Sequence, residues 1–318
     1  MLNNSSEEKS TVWYPEGSHL ENILFASFYT VIFIIAVPGN ILALWVFTQE
    51  KKKNSPSKVF LKNLAVADVS FVMMLPMRII YHLMDSHWPF GEILCRLLGY
   101  LFYLNMYCSL YFMTCISLDR FIAVVLPIQA LRIRKPVYAS VASATLWFCL
   151  VIAMMPLLLS QQTVQLSDSN RTVCNQLYRE KTSARALVST AVAFAIPLIT
   201  IAASYILILY RLCRKMELEN RPVREKAIRM IVLILVNFTV AFVPYHVTRF
   251  IYIEGSHHRE MTTGEMASLA LGNRITSSLT CISGVLDPVM YFFLTKTYQK
   301  SLLLLFRKRS EGDQSRIV

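Results

Sequence analysis

The sequence predicts an all-α fold, a bundle of seven helices that cross a membrane. The first observation is a series of seven apolar stretches along the 318 residues. Each is long enough to cross a hydrocarbon core of ~30 Å, which needs roughly 20 mostly apolar helical residues. The second is composition: 16% of residues are charged, against about 25% in soluble domains. The third is that the stretches lack strand alternation, which argues against a membrane β-barrel.

The seven predicted spans follow one another with short connections, and we number them in chain order. We place them at residues 22–48, 57–84, 92–125, 136–159, 183–213, 225–253 and 265–293. We expect residues 1–21 to form an extracellular segment and residues 294–318 to form an interfacial helix and a cytoplasmic tail. The interfacial helix is predicted over Tyr298 to Phe306, with Leu302, Leu303, Leu305 and Phe306 towards lipid.

The placement of charge predicts how the bundle is oriented. The net charge is +12. Basic residues cluster between spans 1 and 2, between spans 3 and 4, before span 6 and after span 7. These segments all lie on one side if the helices alternate in direction. The positive-inside rule therefore predicts an extracellular N-terminus and a cytoplasmic C-terminus. The same charges attract anionic lipids of the inner leaflet. A membrane-lipid partner explains them, and a nucleic acid polymer is not implied.

Two features of the predicted outer side agree with this orientation. Asn3, Asn4 and Asn170 begin triplets of the glycosylation pattern, which is common by chance and gives modest support. Of the seven cysteines, Cys95 and Cys174 lie where oxidation is favoured, and each is within reach of the other. We predict a disulfide between them.

Several polar and helix-breaking residues lie inside the predicted spans. An ionisable group at the membrane centre costs about 2.5–3.5 kcal/mol or more, so Asp68 and Asp287 each suggest a function. Any one such residue also has a purely structural interpretation, because prolines kink many membrane helices and a lone tryptophan usually packs. Their order along the chain, each in a different helix at a particular depth, favours a functional set.

That set resembles the rhodopsin-like (class A) G-protein-coupled receptors from about Leu20 to Phe306. The matching positions are Asn40, Asp68, Cys95 with Cys174, Asp119-Arg120-Phe121, Trp147, Pro197, Phe238, Phe242, Pro244 and Asp287-Pro288-x-x-Tyr291. His87-Trp88-Pro89-Phe90-Gly91 and Phe242-Val243-Pro244-Tyr245-His246 resemble the purinergic and lipid-mediator branch. Phe121 departs from the usual tyrosine, and Asp287 replaces the commoner asparagine. The resemblance implies a plasma-membrane receptor.

The resemblance implies a ligand pocket between the outer halves of the spans, lined by cations and aromatic rings. The candidate ligand-binding residues are Arg78, Tyr81, Tyr103, Tyr107, His246, Arg249 and Arg274. Guanidinium groups bind phosphate or carboxylate through paired hydrogen bonds. Alternatively, each arginine extends its side chain to the membrane–water interface and binds no ligand. We expect an extracellular anionic small molecule of nucleotide or nucleotide-sugar type. An anionic lipid mediator such as a cysteinyl leukotriene, or constitutive activity without a ligand, stays open.

The resemblance also implies a switch near the cytoplasm that couples to a heterotrimeric G protein, by family habit of the inhibitory type, and to arrestin. Asp119 is expected to hold Arg120 at rest. The other switch residues are Tyr205, Phe242, Pro244, Asp287, Pro288 and Tyr291. No cofactor is expected, apart from an allosteric sodium ion among Asp68, Asn105, Ser109, Ser283 and Asp287, since two carboxylates in the membrane otherwise repel each other.

Other functions of seven-span proteins fit less well. An enzyme needs metal ligands or an activated nucleophile, and neither His-Glu-x-x-His nor Gly-x-Ser-x-Gly occurs. A retinal-type pump needs a lysine in the middle of span 7, and residues 265–295 contain none. A transporter would more often show internal repeats. We therefore expect a receptor and no enzymatic activity.

Overall fold

The structure is a computed structural model that describes residues 17–49, 55–166, 171–175, 184–215, 221–258 and 262–304. Within these residues, seven helical segments are long and apolar enough to cross a membrane. They are His19–Gln49, Pro56–Leu83, Gly91–Val125, Pro136–Leu159, Leu187–Arg214, Ile228–Glu254 and Gly264–Leu294. The largest difference from the predicted boundaries is four residues, at the start of span 5 (183 against 187). The predicted seven-helix fold is confirmed.

Four spans are single helices, whereas spans 2, 6 and 7 are interrupted. The single helices are His19–Gln49, Gly91–Val125, Pro136–Leu159 and Ala184–Lys215, and a short helix, Pro127–Ile133, connects spans 3 and 4. Span 2 consists of Pro56–Val72 and Leu75–Leu83. Span 6 consists of Arg221–Asn237, a π-helix Phe238–Phe242 and Val243–His258. Span 7 consists of Thr263–Leu279, a 3₁₀ turn Thr280–Ile282 and Ser283–Leu294.

The interruptions in spans 2 and 6 lie beside prolines. Before Pro76, the backbone N–H of Met74 donates to Phe71 O, three residues back, at 2.9 Å. Before Pro244, the N–H of Val243 donates to Phe238 O, five residues back. Proline lacks a backbone donor and its ring displaces the preceding turn, so the helix tightens or widens there. Each proline therefore redirects the half of its span that follows.

The bundle buries its polar groups and turns large apolar side chains outward. Ile34, Phe148 and Ile199 are each more than 60% exposed, whereas Asp68 and Asp287 are buried. This pattern is reversed relative to a protein in water and suits lipid surroundings, in which apolar side chains need no burial. In span 4 only 11% of the most apolar window is buried, against 50% in span 3. Span 3 is therefore central and span 4 peripheral.

A β-hairpin between spans 4 and 5 covers one end of the bundle, which we call the hairpin end. Strand β1 (Thr163–Leu166) pairs antiparallel with β2 (Arg171–Cys174), with Thr163 opposite Cys174. The disulfide Cys95–Cys174 is present, so that prediction is confirmed, and it ties β2 to the start of span 3. The hairpin was not expected from the sequence and is a local addition to the all-α bundle.

Glu92 fixes the hairpin to span 3 by a second route. Its carboxylate accepts hydrogen bonds from the backbone N–H groups of Gln162 (2.8 Å) and Thr163 (2.7 Å). It also accepts one from Arg96 Nε at 2.5 Å. Nearby, a hydrogen bond from His19 lowers the pKa of the exposed Asp85 carboxyl. At this end, polar contacts thus add to the apolar packing around the disulfide.

A further helix, residues 296–304, follows span 7 as predicted for the interfacial helix. Of the leucines predicted to face lipid, Leu303 is exposed and Leu302 is half-buried, and Leu304, which was not predicted, is exposed as well. On its other side the Tyr298 hydroxyl donates to Gly39 O at 3.2 Å, and burial raises the pKa of this phenol. Leu305, Phe306 and the predicted glycosylation residues Asn3, Asn4 and Asn170 lie outside the described residues, so those predictions stay predictions.

Candidate functional site

A cavity of about 530 Å³ lies among spans 3, 4, 5 and 6, towards the hairpin end. Tyr103 and Tyr107 of span 3 and Arg249 of span 6 line it. The rest of its wall is largely apolar and includes Leu146, Leu150, Ala153, Met154, Leu157 and Ala193. Three of the seven predicted ligand-binding residues therefore meet at one cavity.

The polar side of this cavity is built from phenols and one guanidinium. The hydroxyls of Tyr103 and Tyr245 are 3.0 Å apart, and Arg249 lies close to the Tyr252 ring, at 5.8 Å from its centroid. A guanidinium can form paired hydrogen bonds with a carboxylate or phosphate. The apolar wall can bury an alkyl or aromatic part. The cavity thus offers complementary surfaces to an anion that carries an apolar body.

Arg78 lies close to this cavity but behind an aromatic layer. Its guanidinium is 4.6 Å from the centroid of Phe102, and its Nη1 donates to the Tyr29 hydroxyl at 3.3 Å. Phe102 also contacts Tyr103 and Tyr245, at 5.1 and 6.1 Å between centroids. Because Arg78 is fully buried, a ligand reaches it only if these rings move. Its direct contact with a ligand stays a prediction.

Tyr81 and His246 do not line the cavity that contains Arg249. Tyr81 packs beneath the disulfide, with its ring 6.3 Å from that of Trp88. His246 shares a hydrogen bond of 2.9 Å with Phe242 O and stacks on Phe194 at 4.1 Å. His246 lines a separate cavity of about 250 Å³ between spans 5 and 6.

Arg274 is bound by the start of span 1. Its Nη2 donates to Asn22 Oδ1 at 3.0 Å, and its Nη1 donates to Glu21 Oε2 at 3.2 Å. The guanidinium also lies 4.8 Å from the centroid of Phe25. In this arrangement Arg274 joins spans 1 and 7, and a ligand would have to displace these contacts to use it.

The two mid-membrane carboxyls form a buried network that connects spans 2, 3, 6 and 7. Asn105 Nδ2 donates to Asp68 Oδ1 and the Tyr291 hydroxyl to Asp68 Oδ2, both at 3.1 Å. Asn237 Nδ2 donates to Asp287 Oδ1 at 2.8 Å. The Asp68 and Asp287 carboxyls lie close enough to interact electrostatically. Two carboxylates this close need a proton or a cation between them.

The residues predicted to hold sodium fit a small cation. Among the described residues, the buried Ser109 hydroxyl and Asp287 Oδ2 find no hydrogen-bond partner. Ser283 Oγ donates to Thr280 O at 2.8 Å, so its lone pairs stay available. Asp68, Asp287, Asn105 and the two serines would together supply the oxygen ligands that hard cations prefer.

The predicted ion pair of Asp119 and Arg120 lies at the end of the bundle opposite the hairpin, with a second arginine beside it. Arg134 donates from Nε and Nη2 to the two oxygens of Asp119, at 2.8 and 3.0 Å. Arg120 Nη2 is 3.5 Å from Asp119 Oδ2. Ser57 Oγ donates to the same carboxylate at 2.5 Å and accepts a bond from Arg120. Asp119 therefore holds Arg120 less directly than it holds Arg134.

The other predicted switch residues surround the middle of the bundle. The Tyr205 hydroxyl lies 2.6 Å from Ser117 Oγ, and Tyr291 donates to Asp68, so neither phenol bonds to Arg120. Phe242 is fully buried beside Phe238, two residues before Pro244. Pro288 packs so closely on Gly39 that an added Cβ would lie 2.8 Å from its ring.

Three residues of these networks were not predicted from the sequence: Ser57, Arg134 and Asn237. Asn237 interrupts the apolar run Ile231-Val232-Leu233-Ile234-Leu235-Val236, and that interruption was an available signal. Arg134 was counted only as a cytoplasmic charge. A serine at a helix start, such as Ser57, is too common to signal a function.

Comparison with known proteins agrees with this geometry. The family profile described as 7 transmembrane receptor (rhodopsin family) matches residues 39–291. The human uracil nucleotide/cysteinyl leukotriene receptor is 52% identical over 294 residues, which cover 92% of this chain and 79% of that protein. Its mouse counterpart is 52% identical over 315 residues, 97% of this chain and 91% of that protein. The human cysteinyl leukotriene receptor 1 is 32% identical over 294 residues, 91% of this chain and 86% of that protein.

Proposed function

We propose that this chain, which belongs to the rhodopsin family of seven-transmembrane receptors, binds an anionic amphipathic molecule from outside the cell. The protein is a G-protein-coupled receptor of the purinergic and cysteinyl leukotriene receptor type, with many relatives that are receptors and not enzymes. It is a multi-pass protein of the plasma membrane, with a small-molecule ligand and a G-protein partner. Beyond this, we propose the chemical class of the ligand, the orientation of the chain in the membrane and the G-protein subtype.

The single observation that carries the ligand proposal is the lining of the cavity with Arg249. One guanidinium shares the cavity with a wall of spans 4 and 5 in which leucine, methionine and alanine side chains predominate, beside four tyrosines of spans 3 and 6. A carboxylate at Arg249 with an alkyl chain along spans 4 and 5 would use both surfaces. We therefore favour an anionic lipid mediator, and the relatives' names include cysteinyl leukotriene receptors.

A nucleotide or nucleotide-sugar is the second candidate, and a different observation favours it. Tyr103, Tyr107 and Tyr245 give the cavity aromatic faces on which a base can stack. Several phosphates would need more cations than Arg249, and Arg78 is the nearest buried one, behind Phe102. This candidate therefore requires the aromatic layer to open, whereas the lipid candidate does not.

The test is a panel of cysteinyl leukotrienes, uracil nucleotides and nucleotide-sugars, measured by G-protein activation in membranes with Arg249→Ala. Loss of a charge-assisted hydrogen bond costs about 1.5–3 kcal/mol, or roughly a tenfold to hundredfold loss of agonist potency. Arg274→Gln is the matched control and should keep potency at equal surface expression, because Arg274 is bound by Glu21 and Asn22. An agonist of full potency on Arg249→Ala would contradict the proposed site.

For signalling, we propose an extracellular N-terminus, coupling to an inhibitory-type G protein at the Arg120 end, and arrestin as a further partner. The positive charge before span 6 and after span 7 supports this orientation. Tyr205 bonds to Ser117 and Tyr291 bonds to Asp68, not to Arg120, which supports a resting arrangement. Sodium at Asp68 and Asp287 would stabilise it, because it would balance the paired carboxylates.

A further inference from the structure

The second cavity, of about 250 Å³, lies between spans 5 and 6 and opens towards the lipid. Three of its lining residues, Val247, Phe250 and Ile251, are each about half exposed on the surface of span 6. Among the described residues that line it, none is an arginine, lysine, aspartate or glutamate. The cavity therefore suits an uncharged molecule that enters from the membrane.

The imidazole of His246 gives this cavity an acceptor without a donor. The side chain is 6% exposed, and its Nδ1 lies 2.9 Å from Phe242 O. A carbonyl oxygen only accepts, so Nδ1 carries the proton of the neutral ring, and Nε2 on the far side offers a lone pair. Within the described chain, this Nε2 has no hydrogen-bond partner. Because an unsatisfied buried acceptor is unfavourable, a ligand that donates one hydrogen bond is favoured here.

A water molecule would satisfy this acceptor poorly. Buried waters typically make about three hydrogen bonds, whereas the polar side chains of the described wall are those of His246 and Thr190. Apolar cavities of about 150 Å³ stay dry and bind molecules such as benzene. The cavity between spans 5 and 6 is larger, at about 250 Å³. It therefore has room for an aromatic ring with a few alkyl carbons.

The depth of His246 favours a small molecule over a membrane lipid. His246 lies eight residues before Glu254, at which span 6 ends, and this corresponds to about 12 Å along the helix. The hydroxyl of a sterol or a diacylglycerol lies at the membrane surface, and moving it to this depth would remove it from water. A small molecule dissolved among the acyl chains is not held at the surface.

We infer that this cavity binds an uncharged phenol or alcohol of about ten to twelve non-hydrogen atoms, taken up from the bilayer. Its hydroxyl donates to His246 Nε2, and its apolar body packs on Phe194, Phe250 and Ile251. A hydrocarbon of the same shape would leave Nε2 without a donor. A carboxylate would be buried without a cation among the lining residues. The site is separate from the one proposed at Arg249 and requires no anionic ligand.

A molecule in this cavity stabilises the arrangement of spans 5 and 6 seen in this structure. Phe194 stacks on His246 at 4.1 Å and on Phe238 at 5.5 Å between centroids. Phe238 begins the π-helix, and His246 bonds to the carbonyl of its last residue, Phe242. A ligand that binds one arrangement preferentially stabilises it. Because this arrangement is the proposed resting one, the bound phenol lowers basal G-protein activation.

The experiment measures the binding of tritiated thymol to the full-length receptor in nanodiscs, after subtraction of the signal from empty nanodiscs. Thymol is a phenol with one isopropyl and one methyl group. The competitors are unlabelled thymol, p-cymene, which lacks only the hydroxyl, and thymol methyl ether, which cannot donate. We expect thymol to compete about three- to tenfold better than either, as for one neutral hydrogen bond. In His246→Phe this preference should disappear, because an aromatic ring remains but the acceptor is lost.

Ala191→Phe tests the position of the cavity. Ala191 lines it from span 5 and is exposed, so a phenyl ring there should fill the cavity and abolish saturable thymol binding. Ala203→Phe is the matched control, because it adds the same ring to another exposed position of span 5, and it should keep thymol binding. At saturation, thymol should lower basal nucleotide exchange on a purified G protein with the unchanged receptor and not with Ala191→Phe.

Four results would overturn the inference. They are equal competition by thymol and p-cymene, a preference for thymol that survives in His246→Phe, equal thymol binding in Ala191→Phe and Ala203→Phe, and basal exchange that does not fall at saturating thymol. The unfolding temperature of each variant without thymol is measured first. If His246→Phe fails to fold, the unchanged receptor and Ala191→Phe decide the outcome: a preference for thymol over p-cymene with loss of binding in Ala191→Phe supports the site, and any other pair of results contradicts it.

Discussion

Asp119 shows how one carboxylate can hold two arginines at different strengths. Its bidentate pair with Arg134 has bonds of 2.8 and 3.0 Å, whereas Arg120 is 3.5 Å away. Bidentate guanidinium pairs are geometrically specific and stronger than single contacts. Asp119 is buried, so losing its main partner would leave a buried charge less well balanced. Arg134, from the connection between spans 3 and 4, therefore takes part in restraining Arg120.

We predict that Arg134→Gln raises basal G-protein activation severalfold. The bidentate pair fixes the orientation of the Asp119 carboxylate, so without it the contacts of Asp119 with Ser57 and Arg120 would weaken and Arg120 would be released. Basal nucleotide exchange on a purified G protein, at matched receptor density, measures this. Arg132→Gln is the control, because Arg132 is exposed on the short helix that ends just before Arg134. Equal basal exchange in the two variants would show that Arg134 only contributes surface charge.

At the residue scale, the charged side chains inside the spans could be predicted from the sequence, but the residues that bond to them could not. Asp68 and Asp287 were predicted because charge inside a span is costly wherever it lies, whereas Asp119 was predicted from the family resemblance. Arg274 was expected at the ligand, yet it is bound by Glu21 and Asn22, 253 and 252 residues away along the chain. Such long-range pairing has no local sequence pattern, so a single sequence cannot predict it.

At the scale of the element, span 6 combines a flexible segment with a tie to span 7. The π-helix Phe238–Phe242 and Pro244 weaken the regular hydrogen-bond ladder. Directly before them, Asn237 donates to Asp287 at 2.8 Å. The inner half of span 6 is thus attached to span 7 at the point from which it would pivot.

Asn237→Leu is predicted to release this tie. Because Asp287 would lose a buried hydrogen bond, we expect destabilisation of about 1–3 kcal/mol and higher basal activity. Thermal unfolding and basal nucleotide exchange measure the two effects. Thr239→Val is the control, since Thr239 lies exposed within the π-helix. Lower stability without higher basal activity would mean that the bond is structural and not part of the switch.

Elements differed in how well the sequence predicted them. Each span was predicted because a run of about twenty apolar residues rarely occurs outside a membrane helix. The hairpin was missed because strands of four residues, Thr163–Leu166 and Arg171–Cys174, are too short to show a reliable alternation. The π-helix was missed as well: Pro244 indicated a bend, but not how the preceding turn would accommodate it.

At the scale of the whole molecule, one buried polar network connects spans 2, 3, 6 and 7. It includes Asp68, Asp287 and their amide and phenol partners. Both carboxyls belong to this network. A proton or a cation that balances their charge therefore changes the stability of the arrangement in which the four spans are connected. A cation here would couple a mid-membrane site to both ends of the bundle.

Sodium is predicted to stabilise the resting arrangement and to weaken agonist binding. In sodium chloride the apparent unfolding temperature should be higher than in choline chloride at equal ionic strength, because only sodium fits among these oxygens. Asp68→Asn should abolish the difference, whereas Asp85→Asn, which removes an exposed carboxyl near the hairpin, should keep it. An equal sodium effect in both variants would exclude the proposed site.

We expect the inner end of span 6 to move away from span 3 when the receptor couples, because the π-helix and Pro244 provide a pivot in span 6. The direct measurement is the distance between spin labels at positions 131 and 225, with the exposed Cys149 and Cys213 first replaced by serine. Residue 131 lies on the short helix after span 3, and residue 225 is exposed near the start of span 6. Nucleotide-free inhibitory-type G protein should shift the distribution to longer distances, and Asn237→Leu should shift it partly without G protein. A distribution that stays unchanged while the G protein is bound would contradict the account.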